Sequence, residues 1–133
     1  MSAAHWVLDT GALMGFAHRV DAVGQILVDL ADADGTAAVP SLCLVEAYSL
    51  LHHEEYEWLR LLRRNPAVQT VQLAVDAEHS DDCPAVGGLA RHAGRLGAGH
   101  AAFVALANAA GVVTSRPDQI RAVLGDQWEI VEV

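Results

Sequence analysis

Short apolar runs alternate with helical segments along almost the whole of this 133-residue chain. This alternation favours a mostly parallel sheet with helices on its faces, because parallel neighbours must be joined by a crossover that is usually a helix. The predicted strands are His5–Leu8, Ala37–Val39, Val68–Val75, Val112–Thr114 and Trp128–Val133. The predicted helices are Thr10–His18, Val20–Ala33, Ser41 to about Leu51, His53–Arg64, a kinked or broken helix capped by Asp76, His100–Ala110 and Pro117–Leu124. The expected fold is therefore a single α/β domain over residues 1–133.

The composition excludes several classes of protein. A formal net charge of −9 argues against a protein that coats nucleic acid generally. A local patch of arginines on an acidic protein could still contact nucleic acid. The two cysteines have no metal-ligand spacing and do not make a disulfide framework, and Cys43 has the apolar neighbours of a small core residue. The N-terminus shows no secretion signal, and His100, Asn108 and glycines make Ala98–Thr114 a poor membrane span. We therefore expect a cytoplasmic protein with no membrane partner.

The apolar run Trp6-Val7-Leu8 ends on a carboxylate, Asp9, and a helix is predicted to begin directly after it. In open α/β sheets the sites lie at the carboxyl ends of the strands, where the connecting loops converge. Asp9 can therefore be a metal ligand at this edge or the N-cap of the helix. Asp9-Thr10-Gly11 also matches the motif of retroviral-type aspartic proteases, but those enzymes are all-β dimers and the Ala-rich helical segments here exclude the match.

A second acid, Glu46, follows the next strand in an apolar stretch, Leu42-Cys43-Leu44-Val45-Glu46-Ala47. A carboxylate on or beside a buried face needs a metal, an arginine or backbone donors as its partner. Two acids that reach one sheet edge from different strand–helix units suggest a divalent-metal site. The alternatives are an ion pair between Glu46 and an arginine, or a different doubly wound domain in which the two acids lie far apart.

Four segments together resemble a PIN domain, in their order and over nearly the whole length of the chain. They are Val7-Leu8-Asp9-Thr10-Gly11-Ala12-Leu13, Val39-Pro40-Ser41 with Glu46, His100-Ala101-Ala102-Phe103-Val104-Ala105-Leu106-Ala107, and Val112-Val113-Thr114-Ser115-Arg116-Pro117-Asp118. The resemblance implies a three-layer α/β/α fold around a parallel sheet, frequent homodimers, and RNA cleavage that depends on Mg²⁺ or Mn²⁺. Many members of this family are the toxin ribonucleases of toxin–antitoxin pairs.

The resemblance also implies four metal-binding carboxylates, of which Asp9 and Glu46 match the first two. The third belongs at the start of the helix predicted to begin near Gly99-His100, and the fourth falls on Arg116, two residues after Thr114. This chain has no acid at either position. Because carboxylate count tunes the affinity for hard divalent ions, two acids are expected to hold Mg²⁺ weakly. We expect Arg116 to pair with Asp9 or Glu46 and to supply the positive charge internally.

The sequence thus predicts a PIN-like protein with weak or lost nuclease activity, with Mg²⁺ or Mn²⁺ as a weakly bound cofactor or none. If RNA is cut, His100 is expected as a substitute ligand, which would favour Mn²⁺ or Zn²⁺, or as a general acid, while Asp118 either joins the site or caps the last helix. The alternative is a non-catalytic module that binds RNA or an antitoxin-like partner through the old groove. The candidate residues are Asp9, Glu46 and His100 for catalysis, Asp9 and Glu46 for metal binding, and Thr10, Thr114 and Arg116 for substrate binding.

Overall fold

Five parallel strands form the central sheet of the computed structural model, which describes residues 3–133. The strands in chain order are β1 (Trp6–Leu8), β2 (Ala37–Pro40), β3 (Val68–Val71), β4 (Val75–Asp76), β5 (Ser80–Asp81), β6 (Gly111–Thr114) and β7 (Ile130–Glu132). The sheet order is β3-β2-β1-β6-β7, and each neighbouring pair is parallel. The two remaining strands, β4 and β5, form a separate antiparallel pair. The expected α/β class with a parallel sheet is confirmed.

The connections between parallel strands are helical, as the crossover argument requires. The helices are α1 (Thr10–Ala17), α2 (Asp21–Asp32), α3 (Ser41–Leu50), α4 (Tyr56–Arg63), α5 (Cys83–Ala93), α6 (Leu96–Asn108) and α7 (Pro117–Leu124), with a single 3₁₀ turn at His53–Glu55. No helix within residues 3–133 is both long and apolar enough to cross a membrane.

The core lies around the three central strands. The strands β2 and β6 are buried along their whole length, and Val7 and Leu8 of β1 are fully buried. Parallel strands covered on both faces need such continuous apolar sequences rather than an alternating pattern. Leu59 and Leu62 of α4 also point inward and are almost fully buried, and Cys43 is part of the core, as expected.

The strand predicted over Val68–Val75 is too long. It ends at Val71, and Val75 and Asp76 instead pair with Asp81 and Ser80 in the β4–β5 hairpin. Asp76 therefore does not cap a helix, and its carboxylate accepts a hydrogen bond from the backbone N–H of Glu78 within the hairpin. The following helix, α5, is continuous from Cys83 to Ala93, because its proline lies in the first turn, where the missing N–H costs nothing.

The start of the predicted helix His100–Ala110 is also wrong, since α6 begins four residues earlier, at Leu96. The glycines of this first turn favour a loop in the sequence, but at least one has a packing role. A Cβ at Gly99 would lie 2.6 Å from both the Cβ and the backbone nitrogen of Ala90, so glycine permits the close crossing of α5 and α6. Residues expected before the helix therefore belong to its first turn.

Ser41 does not cap α3 as predicted. It is the first residue of the helix, which Pro40 precedes without a side-chain cap. The hydroxyl oxygen of Ser41 instead accepts a hydrogen bond of 3.1 Å from the backbone N–H of Leu73. This contact fixes the segment that leaves β3 against the start of α3, beside the carboxyl edge of the sheet.

Candidate functional site at the carboxyl edge of the sheet

Asp9 lies immediately after β1 and is the N-cap of α1. Its Oδ1 atom accepts a hydrogen bond of 3.0 Å from the backbone N–H of Ala12, and the residue is only 5% exposed. The capping interpretation of Asp9 is therefore correct, and it is compatible with a second role because the residue also lines a cavity.

Burial raises the pKa of Asp9 from its ordinary value of 3.8 to about 6. Hydrogen bonds from the Thr114 hydroxyl and from the backbone N–H groups of Ala12 and Gly11 oppose this rise, as does the positive charge of Arg95. Because burial removes most of the water around Asp9, keeping its carboxyl group charged near neutral pH costs free energy, even though internal donors form hydrogen bonds with it.

Thr114 is fully buried at the end of β6, and it supports Asp9 from within the protein. Its oxygen also accepts a hydrogen bond of 2.9 Å from the backbone N–H of Arg116. The predicted role of Thr114 in holding a substrate phosphate has no support in this placement, because the residue is not part of the cavity wall.

Glu46, on α3, has its carboxylate bound by two side chains. The Thr10 hydroxyl donates a hydrogen bond of 2.7 Å to Oε1, and the Arg95 Nη2 atom lies 3.5 Å from the same oxygen. The Glu46 side chain is 24% exposed, so it lies at the boundary between the core and solvent. The Thr10 hydroxyl thus binds a neighbouring carboxylate, in addition to lining the cavity.

Asp9 and Glu46 line one cavity of about 130 Å³. The two acids therefore meet at one edge of the sheet, as the positions of the strand ends predict. The alternative fold, in which they lie far apart, is excluded. The other lining residues come mainly from the N-terminal parts of α1, α6 and α7. The full set is Asp9, Thr10, Gly11, Met14, Glu46, Leu50, Arg95, Ala98, Ser115, Arg116 and Gln119.

The arginine that pairs with an acid of the cavity is Arg95 and not, as the sequence predicts, Arg116. The prediction for Arg116 is therefore wrong. Arg116 lines the cavity, but its side chain is exposed and forms no ion pair within the described part of the chain. The partner of Glu46 is Arg95, which immediately precedes α6. Sequence reasoning missed Arg95 because α6 was predicted to begin near His100. The sequence signal for this helix boundary is Gly94, because glycine commonly ends helices in the left-handed conformation. Its φ of 88° ends α5, and Arg95 then directly precedes α6.

His100 lies inside the protein, in the second turn of α6, and not at the cavity. It is fully buried, and its Nδ1 atom accepts a hydrogen bond of 3.3 Å from the backbone N–H of Leu42, while Nε2 has no hydrogen-bond partner among residues 3–133. Burial lowers its pKa, against a smaller opposing effect of the Asp82 charge. The structure does not bring His100 together with Asp9 and Glu46, and Asp118 is likewise absent from the cavity wall.

The first turn of α6 offers no acid to the cavity. Ala98 lines the wall, and a Cβ at Gly97 would clash with the Glu46 carboxylate and lie 2.8 Å from the Thr10 hydroxyl oxygen. The carboxylate of Glu46 therefore rests directly against the bare backbone of α6. Of Ala98, Gly99 and His100, where the resemblance implies a third acid, Ala98 is the one that lines the cavity.

These residues do not fit a complete site for Mg²⁺ or Mn²⁺. Within residues 3–133, no group of three or more His, Cys, Asp or Glu side chains is placed to hold one ion. Glu46 is already bound by Thr10 and Arg95, and the charged residues of the cavity wall are two acids and two arginines, whose formal charges cancel. A hard divalent cation needs several oxygen ligands with net negative charge, which this wall does not supply.

Comparison with known proteins identifies the fold. No protein-family model matches the chain, and no curated protein matches it in sequence. Among solved structures, PAE2754 from Pyrobaculum aerophilum superposes with a TM-score of 0.60 at 16% identity, over 92% of this chain and 89% of that one. VapBC2 from Rickettsia felis, solved bound to a DNA fragment from its promoter, superposes with a TM-score of 0.62 at 17% identity, over 96% of this chain and 98% of that one. Both are structures of PIN-domain proteins, so the resemblance noted in the sequence is confirmed as to fold.

Proposed function

We propose that this chain is a relative of divalent-metal-dependent ribonucleases and that its own nuclease activity is weak or lost. The fold is that of a PIN domain, but two arginines line the cavity in which the resemblance implies an acidic metal site. One observation carries the proposal: Arg95 and Thr10 both bind the Glu46 carboxylate, which would otherwise be the free ligand for a cation. The likeness to VapBC2 supports the kinship with toxin–antitoxin proteins.

The charge balance of the cavity supports a loss of metal affinity. Two acids remain of the four that the resemblance implies, and Arg95 and Arg116 line the same cavity. A cation in this cavity would meet like charges at short range, in surroundings less screened than bulk water. The activated water of the family reaction needs a bound metal ion, so this cavity is poorly suited to that reaction.

The second candidate function is a non-catalytic module that binds RNA or a partner protein through the same groove. It is favoured by Arg116, which lines the cavity and forms no ion pair with another residue of 3–133, so that its guanidinium group is available to an anionic group. An antitoxin-like partner is proposed on the likeness to VapBC2, and a homodimer on the family resemblance. Light scattering of the purified chain, alone and with such a partner, tests both assemblies.

Manganese titration combined with an RNA cleavage assay tests the loss of activity. We expect the native chain to take up Mn²⁺ with a Kd on the order of 1 mM or weaker, as for sites with few charged ligands, and to leave single-stranded RNA intact. The Asp9→Asn variant should behave like the native chain. Asp118→Asn, at an exposed acid of α7, is the matched control. Tight uptake that Asp9→Asn abolishes, with RNA cleavage that Asp118→Asn retains, would overturn the proposal.

A further inference from the structure

The geometry points to a binding site for a terminal phosphate monoester of RNA, held directly by Arg116 and Arg95 without a divalent metal ion, in the cavity at the carboxyl edge of the sheet. This inference rests on the proposed loss of the metal site. It gives the non-catalytic alternative a specific ligand and specific residues.

Both acids of the cavity are already satisfied from within the protein. Asp9 accepts hydrogen bonds from the first turn of α1, including the Ala12 N–H at 3.0 Å, and is 5% exposed. Glu46 accepts the Thr10 hydroxyl at 2.7 Å and lies 3.5 Å from Arg95. The oxygen atoms of both carboxylates are therefore engaged by donors of the protein itself.

The same cavity wall carries donors whose hydrogen-bonding capacity is not used up within residues 3–133. Arg116 is exposed and makes no ion pair among the described residues, and Ser115 and Gln119 line the cavity beside it. Arg95 meets Glu46 through a single contact of 3.5 Å, which leaves other donors of its guanidinium group for a ligand. Because the oxygen atoms of both acids are held by internal donors, whereas Arg116 has no ion-pair partner among residues 3–133, the free hydrogen-bonding groups of the wall are mainly donors, which suits an anion.

The cavity suits a compact and highly charged ligand. Its volume of about 130 Å³ leaves room for one phosphate group. A terminal monoester can place three oxygens in such a space, and it carries more charge than an internal diester. Guanidinium groups bind phosphate oxygens in a forked geometry. The overall charge of −9 opposes binding along an extended RNA backbone, so recognition at one local point is favoured.

The test compares a short oligoribonucleotide with a 5′-phosphate to the same oligomer with a 5′-hydroxyl, by fluorescence anisotropy in the presence of EDTA. We expect the phosphorylated oligomer to bind at least about ten-fold more tightly, as one or two charge-assisted hydrogen bonds allow. Excess inorganic phosphate should displace it. Arg116→Gln and Arg95→Gln should each remove most of the difference, and Arg116→Lys should restore part of it.

Arg121→Gln is the matched control, because Arg121 is an exposed arginine on α7 that does not line the cavity. It should change the affinity less than two-fold. Equal binding of the two oligomers overturns the inference, as does an equal loss in Arg121→Gln and Arg116→Gln, which would indicate general charge attraction. If neither the phosphorylated oligomer nor Mn²⁺ binds, the inference fails and the proposed loss of the metal site stands. If the phosphorylated oligomer binds only when Mn²⁺ is supplied, both fail.

Discussion

The Nη2 atom of Arg95 lies 3.5 Å from Oε1 of Glu46, the same oxygen that accepts the hydrogen bond of Thr10. The family resemblance implies that a carboxylate at this position faces a bound cation. Here the positive charge comes from the residue before α6, within the same chain.

Replacing Arg95 by Gln should raise the affinity of the cavity for Mn²⁺ by several-fold, because Glu46 then keeps its charge without a cationic partner. The cost in stability should be at most about 1 kcal/mol, since the two side chains are 35% and 24% exposed and solvent screens the pair. Calorimetric titration gives the first quantity and chemical denaturation the second. Arg91→Gln, at an exposed arginine of α5, serves as the control and should leave Mn²⁺ affinity unchanged. A large loss of stability in Arg95→Gln alone would mean that the pair is a structural element.

Restoring the two missing acids should create metal binding where the native chain has little. Ala98 and Arg116 both line the cavity, so the double variant Ala98→Asp, Arg116→Asp returns carboxylates to the wall that holds Asp9 and Glu46. We expect Mn²⁺ affinity to rise by at least about ten-fold, because affinity for hard cations follows the number of charged oxygen ligands. Ala98→Asp combined with Arg121→Asp makes the same change in net charge with one acid outside the cavity, and it should gain much less. Equal gains in the two variants would contradict the assignment of Arg116 to the site.

Asp9 should make the protein more stable at acid than at neutral pH. Its pKa is about 6 in the folded chain and 3.8 ordinarily, so between these values the folded state binds more protons than the unfolded state. The free energy of unfolding therefore falls as pH rises through this window, and the two pKa values correspond to about 3 kcal/mol. Asp9→Asn retains an acceptor for the Ala12 N–H and carries no charge, so its advantage over the native chain should grow from near zero at pH 4 to a few kcal/mol at pH 7.

Urea denaturation of both proteins at intervals across this range measures that difference. Because other groups also titrate, the difference between the native chain and Asp9→Asn is the relevant quantity. The exposed acid Asp118 is again the control, and Asp118→Asn should show no such trend. A constant difference between native and Asp9→Asn from pH 4 to pH 7 would contradict the raised pKa of Asp9.

His100 should have the opposite dependence on pH and no effect on ligands. Burial lowers its pKa, so below pH 6.5 the unfolded chain gains a proton before the folded chain does, and stability falls as the pH drops. His100→Asn keeps an acceptor near the position of Nδ1 for the Leu42 N–H and should weaken this acid sensitivity, at a cost of about 1–3 kcal/mol for the lost volume. Thermal unfolding between pH 5 and pH 7 measures the slope. Mn²⁺ uptake by the native chain that a folded His100→Asn variant loses would instead support the metal-ligand role first expected of this residue.

The three central strands can be predicted from the sequence because each is recognised from a local run of apolar residues. The strands β1, β2 and β6 are short apolar runs that end on polar residues or proline, and burial on both faces requires such runs. The boundaries of the peripheral elements are less predictable. The segment after Val71 has the composition of a strand, but its hairpin depends on pairing between Val75 and Asp81, which no local pattern specifies.

The site is predicted in part for the same reason. Asp9 and Glu46 follow strands and can be placed at one edge by topology alone. Arg95 cannot, because its role depends on where α6 begins, and that start depends on two close approaches made possible by glycine. Gly97 lies against Glu46, and Gly99 lies against Ala90 of α5. Both glycines favour a loop when read locally, whereas tertiary packing makes them helical.

Anomalous diffraction from a crystal of the native chain soaked in MnCl₂ shows directly whether Arg95 takes the place of a cation at Glu46. If Arg95 supplies the positive charge at Glu46, no manganese peak should appear between Asp9 and Glu46, and the guanidinium group should remain beside the carboxylate. A strong peak at that point, coordinated by both carboxylates with Arg95 displaced, would contradict the account.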